Sequence, residues 1–471
     1  MQCERWVAPP PEGDDANPGT FAQPWATLDH ASASLPDDHC VVWFKDGAYS
    51  GRHSLYERFS TSATFRAQNP YRAILEHSGT VVLLFGASNM TFDGFEFRHT
   101  GPGAGALVMQ IQRNGDTWSE NITVRNNIFH DSYNNDLLKI NNGARFIMVA
   151  GNVFYNQSGS DEHIDVNSVT DVVIVDNVFF NDFEGSGRVN DNSTSSFIVI
   201  KDSNGDDDGQ IGSLRITVRR NIFLNWQGNS GANFVLAGED GHAYFEAQDV
   251  LVENNLMLGN APNDMRAAFG VKGGRNITFR HNTVAGDLPA LAYALRLNRE
   301  GDNPQNENVY FYNNVWADPT GTMGAQAAGG SNDFSDGLPE ETVNAVLDTN
   351  LYWNGGAAIP PGDVLSPLVH DVHRIVADPQ LNTTYAGLVL PRWTGTSFLS
   401  GNGTIRAEFV RLATAYAVLP VASAACDQAD PAHAPADDLL GRPRGAAPDL
   451  GAYEAELPDL PHRLYLPVAQ R

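Results

Sequence analysis

The stretch "NITVRNNIF" (121–129) contains a pattern that recurs along most of the chain. Apolar residues occupy every second position of a short run, and an Asn and another apolar pair follow it. Alternation of this kind, with β-branched residues, predicts a strand that buries one face. Similar stretches that begin 25 to 44 residues apart indicate a structural repeat. They are "NMTFDGFEF" (89–97), "FIMVAGNVF" (146–154), "DVVIVDNVF" (171–179), "RITVRRNIF" (215–223), "DVLVENNLM" (249–257), "NITFRHNTV" (276–284) and "NVYFYNNVW" (308–316).

The Asn that follows the runs is the most regular feature of the repeat. Asn tolerates the left-handed backbone conformation that a sharp corner requires, and its side chain can bond nearby backbone groups. Stacked Asn side chains are therefore expected to form an amide ladder that satisfies buried polar groups at one corner of the fold. The predicted ladder consists of Asn127, Asn152, Asn177, Asn221, Asn255, Asn282 and Asn314.

A second set of strand-like runs follows these Asn residues, among them "DLLKIN" (136–141), "HIDVN" (163–167) and "SFIVIKD" (196–202). No helical pattern separates the runs, and each repeat can bury its apolar face only against its neighbours. A β-sandwich or a propeller would show hairpin dipeptides and even blade lengths, and the sequence shows neither. We therefore predict an all-β protein, a parallel β-helix built from rungs of three strands.

The two ends of the chain depart from the repeat. Near the start, Trp25–Leu35 has a helical pattern, which is expected to cap the open end of the solenoid. Beyond about Ala317 the Asn repeat fades into sequence rich in Gly, Ala and Pro. We predict a cap of strand and helix at residues 1–50, the β-helix with its catalytic face at 51–330, and final rungs with an anchor-like capping region at 331–471.

The composition limits the kinds of partner that the protein is expected to bind. The 471 residues contain 30 Lys and Arg against 56 Asp and Glu, which gives a formal net charge of −26. Such a chain would repel a phosphate backbone, so we expect no nucleic-acid partner. No apolar run approaches the ~18 residues that a membrane span needs. We also expect the protein to act as a monomer.

The three cysteines are too few for a disulfide scaffold. Cys3 and Cys40 each lie beside a strand-like run near one end of the chain, whereas Cys426 lies near the other end. A single Cys3–Cys40 bridge and three buried thiols are both compatible with this spacing. The sequence as given does not begin with the basic and apolar pattern of a signal peptide.

The chemical signal lies on three successive predicted rungs. Asp136 precedes a strand of the second set, and Asp161, Glu162 and Asp165 occupy the equivalent region one rung later. Lys201 ends the corresponding strand of the third rung. Because parallel strands stack ~4.8 Å apart, these residues are expected to become lateral neighbours. The alternation predicts that His163 and Asp165 face outward.

Four carboxylates on one patch repel one another and are expected to hold a cation. All-oxygen ligands of this number and charge suit Ca²⁺, whereas His163 is the only nitrogen ligand in reach for Zn²⁺. A cation next to one Lys fits β-elimination of a uronate polysaccharide. The metal would neutralise the substrate carboxylate, and a neutral Lys201 would remove the C5 proton. This role requires the pKa of Lys201 to be lowered towards the working pH.

This arrangement resembles the calcium-dependent polysaccharide lyases of family 9, which are pectate-lyase-like right-handed parallel β-helices. Their pattern is a lone Asp, then an S-D-D-x-x-D-like motif on the next rung, then a Lys base. The resemblance implies that Asp136 matches the lone Asp, that Lys201 matches the base, and that "SDEHIDV" (160–166) matches the motif. This sequence departs from the pattern at two positions, since Glu162 stands where an Asp is usual and His163 where a Gly is common.

The ends of the chain resemble exported proteins. "GDDANPGTFAQPWATLDHA" (13–31) with "VVWFKDGAYSG" (41–51) resembles the N-terminal caps of secreted β-helix proteins, many of them polysaccharide-active. "DDLLGRPRGAAPDLGAYE" (437–454) resembles the C-terminal motif of bacterial surface proteins that carry a choice-of-anchor domain. These resemblances imply a secreted or cell-surface bacterial protein.

Other charged residues on the same strand set have two readings each. Lys139 either contacts substrate or forms an exposed ion pair with Asp165, and His163 is either a hydrogen-bonded support or a substrate contact. Lys272, Arg296 and Arg299 are either a row of cations that binds successive uronate carboxylates or ordinary exposed strand residues. Asp206–Asp208 either bind a second calcium ion or form a solvated turn.

Two functions compete with the lyase. A glycoside hydrolase needs two carboxylates ~5–9.5 Å apart, which Asp165 with Asp161 or with Asp202 would supply. A non-catalytic surface or adhesion solenoid would use the acidic patch as a structural calcium site. The lyase is the leading expectation, with an acidic polysaccharide as its substrate and Ca²⁺ as its cofactor.

Overall fold

The computed structural model describes residues 3–36, 39–289, 294–324, 335–360 and 371–455. Within these residues the strands form three parallel sheets, sheet A and sheet B with 12 strands each and sheet C with 10. A rung runs through sheet A, sheet B and sheet C before the chain returns to sheet A one strand further on. The all-β, right-handed parallel β-helix that the sequence predicts is confirmed.

The strands are numbered in chain order. Sheet A contains β1 (Glu4–Val7), β2 (Val41–Phe44), β5 (Arg58–Ala67), β8 (Ser88–Asp93), β11 (Glu120–Arg125), β14 (Arg145–Ala150), β17 (Thr170–Val175), β20 (Ser213–Arg219), β23 (Ala247–Glu253), β26 (Gly274–Arg280), β29 (Asn306–Tyr312) and β32 (Thr342–Asp348). Sheet B contains β3 (Gly47–Ser50), β6 (Ala73–His77), β9 (Glu96–His99), β12 (Ile128–His130), β15 (Val153–Tyr155), β18 (Val178–Phe180), β21 (Ile222–Phe223), β24 (Leu256–Asn260), β27 (Thr283–Asp287), β30 (Val315–Asp318), β33 (Leu351–Asn354) and β34 (Ile375–Val376). Sheet C contains β4 (His53–Leu55), β7 (Val82–Phe85), β10 (Met109–Gln112), β13 (Leu138–Asn141), β16 (Glu162–Asn167), β19 (Ser196–Lys201), β22 (Val235–Ala237), β25 (Phe269–Val271), β28 (Leu295–Leu297) and β31 (Ser335–Asp336).

The described residues also form two α-helices, α1 (Leu28–Ser34) and α2 (Ile405–Tyr416), and short 3-10 helices at Gly205–Asp208, Pro339–Glu341 and Pro431–His433. Helix α1 begins three residues later than the predicted Trp25. The Thr27 hydroxyl accepts the N–H of His30 as an N-cap, and the N–H of Trp25 is used by the carbonyl of Trp6.

Stacked side chains fill the interior of the solenoid. Equivalent positions on successive strands carry apolar residues, so each rung buries its inner face against the next. One column of phenylalanines stacks with ring centroids 4.6–5.1 Å apart, and it consists of Phe97, Phe129, Phe154, Phe179 and Phe223. Such stacking fixes the vertical register that brings the functional side chains together.

The predicted Asn ladder is present at the corner between sheets A and B. Each amide from Asn127 to Asn314 donates to the amide oxygen of the next rung at 2.9–3.2 Å, and Asn350 extends the row. The left-handed residue, however, is the one before the ladder position, with φ of 53° at Asn126 and 59° at Asp176. The ladder Asn is therefore selected for its hydrogen bonds, because its neighbour makes the sharp turn.

The C-terminal part of the chain lies across the outer face of sheet B. Phe409 and Leu412 of α2 belong to one apolar cluster with Val153 and Val178 of the sheet. Asp437 accepts hydrogen bonds from Arg219 and Arg220 of the solenoid. The segment that resembles an anchor motif is thus docked on the β-helix.

Cys3 and Cys40, the residues immediately before β1 and β2, form a disulfide, so the bridge that the sequence left open exists. Cys426 is a free, partly buried thiol. Among the described residues no helix is long and apolar enough to cross a membrane.

Candidate functional site

Sheet C brings the predicted rungs together. Strands β13, β16 and β19 pair in parallel, with Lys139 beside Asp165 and Asn167 beside Lys201. Glu162 begins β16 and pairs with Ser196 of β19. The order of rungs that the sequence indicates is therefore the order in space.

Three carboxylates meet at the corner that leads into sheet C. Asp136, Asp161 and Glu162 each place an oxygen within 4.8 Å of the others. The Oδ1 of Asp136 accepts the N–H of Glu162 at 3.0 Å, which fixes one rung to the next. Asp136 and Glu162 are buried, whereas Asp161 is partly exposed. This acid cluster is open to solvent through Asp161.

The acid cluster is electrostatically crowded. Burial and then the charge of Asp165 raise the pKa of Asp136 to about 7, although Lys139 opposes the shift. Burial also raises the pKa of Asp161 to about 6 and that of Glu162 well above its ordinary value. A nearby cation would stabilise the ionised form of these carboxyl groups and so lower their pKa values.

Asp165 lies beside the cluster and is bound to Lys139. The Lys139 ammonium contacts Asp165 Oδ2 and lies 3.5 Å from Asp136 Oδ2. The ion-pair reading of Lys139 is therefore confirmed, but Asp165 is only 1% exposed, so the predicted exposed pair is in fact largely buried. Burial would lower the pKa of Lys139, yet Asp165 and Asp136 raise it above its ordinary value.

Lys201 extends from the end of β19 towards two acids that the sequence analysis missed. Its Nζ lies 2.6 Å from Glu239 Oε2 and 3.7 Å from Asp240 Oδ1. Burial would lower the pKa of Lys201, but the charges of Asp165, Glu162 and these two residues raise it. These charges hold the pKa of Lys201 above its ordinary value, whereas the role of base requires a lower one.

Glu246 holds the loop that carries Glu239 and Asp240. Its carboxylate is fully buried and accepts the N–H groups of residues 239 and 240 at 2.9 Å, of residue 241 at 2.7 Å and of residue 242 at 3.2 Å. Four charge-assisted bonds make this turn rigid. The only sequence signal was the run "GEDG" (238–241) at the end of a strand of the second set.

His163 does not face outward as the alternation predicts. Its ring is fully buried, stacks obliquely on Phe197 with centroids 4.6 Å apart, and meets Asn181 Oδ1 at 3.0 Å through Nε2. Burial lowers its pKa to about 3, so the ring is neutral. A ring without exposed surface cannot contact a substrate, so that assignment is wrong.

The inward turn of His163 has a structural cause. The chain enters sheet C with two consecutive residues pointing inward, and the first of them is apolar on seven other rungs. These residues are Val81, Val108, Leu137, Phe197, Phe234, Ala268 and Ala294. His163 occupies this apolar column, which simple alternation does not reveal.

The predicted row of cations lies further along sheet C. Arg296 follows Asp165 in the same outward column four strands on, about 19 Å away at the usual strand spacing. Its Nε lies 3.5 Å from Asp336 Oδ2. Lys272 contacts Glu300, and Arg299 donates to the carbonyl of Asn303 at 2.7 Å. Each of the three cations already has a partner.

The loop after β19 is occupied by its own contacts. The carboxylate of Asp202 accepts the N–H groups of Asn204, Gly205 and Gly212. Arg113 donates to the carbonyl oxygens of Asp207 and Asp208 at 2.7 and 2.6 Å. These bonds match the turn reading of residues 206–208. Both carboxylate oxygens of Asp202 already accept hydrogen bonds within the loop, which opposes its role as a partner for Asp165.

No protein-family model matches this chain, and no curated protein sequence matches it significantly. Solved structures do match. A structure described as pectate lyase Pel9A is 16% identical over 97% of both chains, with a TM-score of 0.55. The catalytic unit of a GH87 α-1,3-glucanase from Streptomyces thermodiastaticus is 16% identical over 79% of this chain and 67% of its own, with a TM-score of 0.49. PfbA, a surface adhesin of Streptococcus pneumoniae, is 11% identical over 69% and 85%, with a TM-score of 0.43. The first likeness supports the β-helix fold over the whole chain.

Proposed function

We propose that the protein is an extracellular polysaccharide lyase that cleaves a uronate-containing glycan by calcium-assisted β-elimination. The observation that carries the proposal is the acid cluster of Asp136, Asp161 and Glu162. It lies on the two rungs before that of Lys201, at the corner that leads into the sheet with further cations. The similarity of the fold to a pectate lyase adds to it.

The residues at the cluster fit a hard cation. All ligands would be carboxylate oxygens, which is the donor set that Ca²⁺ prefers. Among the described residues, the buried oxygens Asp136 Oδ2 and Asp165 Oδ1 have no hydrogen-bond partner. We assign Asp136, Asp161, Glu162 and Asp165 as the ligands. Bound Ca²⁺ would neutralise the substrate carboxylate and make the adjacent C5 proton more acidic.

Lys201 is the proposed base. As a neutral amine it takes the C5 proton, the C4–C5 double bond forms, and the C4–O bond breaks as the departing oxygen is protonated by water. Two of the acids that raise its pKa, Asp165 and Glu162, would be neutralised as ligands. Glu239 and Asp240 position the amine through the loop that Glu246 fixes.

The acidic chain has to attract an acidic glycan locally. Lys272, Arg296 and Arg299 lie along sheet C beyond the cluster and are the proposed contacts for successive uronate carboxylates. Each would exchange its present partner for a substrate carboxylate. Arg can make this contact bidentately, which gives direction as well as affinity.

The test is ultraviolet absorbance of a uronate-glycan panel, because β-elimination creates an unsaturated product. We expect absorbance to rise with calcium, and to stay flat in chelator or with Lys201→Ala. Lys45→Ala is the matched control, since Lys45 also pairs with a glutamate, Glu12, but lies on β2's rung far from the cluster. No rise on any uronate glycan, with calcium present, refutes the proposal.

A glycoside hydrolase is the second candidate, and one observation favours it. Asp161 is partly exposed and has a pKa raised to about 6, as a general acid requires. Asp165 would be its partner across a site without metal. New reducing ends that appear in chelator, without ultraviolet absorbance, would identify this activity.

We further propose that the protein works outside the cytoplasm of a bacterium, secreted or at the cell surface. The Cys3–Cys40 disulfide supports an oxidising compartment. Arg444 of the anchor-like segment donates to the side chain of Asn254 in the solenoid at 2.8 Å. It also pairs with Glu454, within its own segment, at 3.0 Å. Any attachment to the cell through this segment would therefore take place while the segment is folded against the β-helix.

A further inference from the structure

A second concave site lies at the corner between sheets A and B. It is a cleft of about 420 Å³, between the turn that holds Tyr71 and the first turn of α2. Its volume falls in the ~300–1,000 Å³ range typical of small-molecule sites. The acid cluster lies at the corner that leads into sheet C, and it shares no residue with the lining of the cleft, so the cleft is a separate place on the molecule.

One wall of the cleft is aromatic. Trp43 of β2 faces outward in register with Trp6 of β1, and their rings stack with centroids 6.0 Å apart. Phe21, 56% exposed, meets Trp6 edge-on at 4.8 Å. Neither tryptophan is fully buried. The Trp43 ring has Trp6 on one face and the Arg66 guanidinium on the other, so the edge of the ring is the part that lines the cleft.

The other wall carries cations and amides. The Arg66 guanidinium lies 5.5 Å from the Trp43 ring centre and pairs with Asp93 at 2.9 Å. Arg406 reaches the cleft from α2, is exposed, and donates to the carbonyl of Leu440. The lining thus has two arginines against one carboxylate, in a chain whose net charge is −26. The exposed amides of Gln68 and Asn126 add hydrogen-bonding groups.

We propose that this cleft is an accessory binding site for an acidic saccharide. A sugar ring lies against the edge of Trp43, and a uronate carboxylate is bound by Arg406, with Arg66 beside it. An aromatic edge with amides next to it suits an amphipathic sugar, and the excess of guanidinium groups selects a carboxylate. The choice of a uronate rests on the proposed function, whereas the existence of the site does not.

The experiment is a titration of the full chain, in chelator, with tetramers of galacturonate, glucuronate and mannuronate and with a neutral xylotetraose. Calorimetry gives the affinity. We expect at least one uronate tetramer to bind more tightly than xylotetraose, and Trp43→Ala to weaken that binding about tenfold or more. Arg406→Met is expected to abolish the preference for the uronate.

Trp118→Ala is the matched control. Trp118 is also partly exposed, with the Arg145 guanidinium 5.2 Å from its ring centre, but it lies outside the cleft. It is expected to bind as the unaltered protein does. The proposal is overturned if no uronate tetramer binds, or if Trp43→Ala binds no more weakly than Trp118→Ala.

The lyase assay separates this proposal from the proposed function. Binding that depends on Trp43, without unsaturated product, supports the cleft and refutes the lyase. Unsaturated product with no binding effect of Trp43→Ala supports the lyase and refutes the cleft.

Discussion

The Asn ladder should be a major source of stability, and Asn177→Ala tests it. The Asn177 amide donates to the carbonyl of Val149 and to Asn221 Oδ1, both at 3.0 Å. Its oxygen accepts the backbone N–H of Asn152 at 2.8 Å and the side-chain amide of Asn152 at 3.0 Å. Alanine removes all four bonds from a fully buried position.

The expected loss follows from which groups remain without a partner. Ordinary hydrogen bonds each contribute about 0.5–1.5 kcal/mol net, and a buried donor left unpaired costs about 1–3 kcal/mol. Among the described residues, the N–H of Asn152 has no other acceptor. We therefore expect Asn177→Ala to lower the free energy of unfolding by about 3–5 kcal/mol.

Equilibrium unfolding in urea, followed by circular dichroism, measures this loss, and hydrogen exchange at the Asn152 amide localises it. The control is an exposed ladder on sheet A, where Asn308 bonds Asn276 and Asn344 at 2.9 Å. Asn308→Gly keeps its φ of 57° unstrained and should cost about 1 kcal/mol or less. If the two variants lose equal stability, buried amide bonding is not what stabilises the corner.

Two further predictions concern the stability of the folded protein. Burial lowers the pKa of His130, but Asp131 and Glu96 raise it to about 9, above the ~6.5 of an unfolded chain. The charged ring should therefore contribute up to about 3 kcal/mol, fully present below pH 6.5 and lost between pH 6.5 and 9. Unfolding measured against pH should show this slope, and His130→Gln should remove it. Cys3→Ser should lower the free energy of unfolding by about 2–4 kcal/mol, because a bridge across 37 positions is lost. Cys426→Ser, which touches no bridge, should leave thermal unfolding unchanged.

The fold could be predicted from the sequence because its signals are local and repeated. Each rung carries its own alternating run, and the ladder Asn recurs at one position of it. The acid cluster could be predicted for the same reason, since Asp136 and Glu162 occupy equivalent places on successive rungs. Stacking converts equivalent places into neighbours.

The remaining features depend on contacts between distant loops, or on a departure from alternation. Glu239 reaches Lys201 across 38 positions because Glu246 folds its loop back. Such a loop is not part of the repeat, so the repeat does not predict it. His163 points inward because the chain enters sheet C with two inward residues in a row. Only an alignment of all rungs, rather than alternation within one, reveals that position.

The charge around Lys201 decides between the two enzymatic functions. Within the site, six carboxylates surround two ammonium groups, which would give a formal charge of −4 if all were ionised; they are Asp136, Asp161, Glu162, Asp165, Glu239 and Asp240, with Lys139 and Lys201. A site of that charge repels a polyuronate unless a cation occupies it. Tight binding of an acidic glycan at sheet C must therefore depend on calcium. Turnover without any cation would instead require a neutral glycan, and cleavage of such a glycan would indicate the hydrolase.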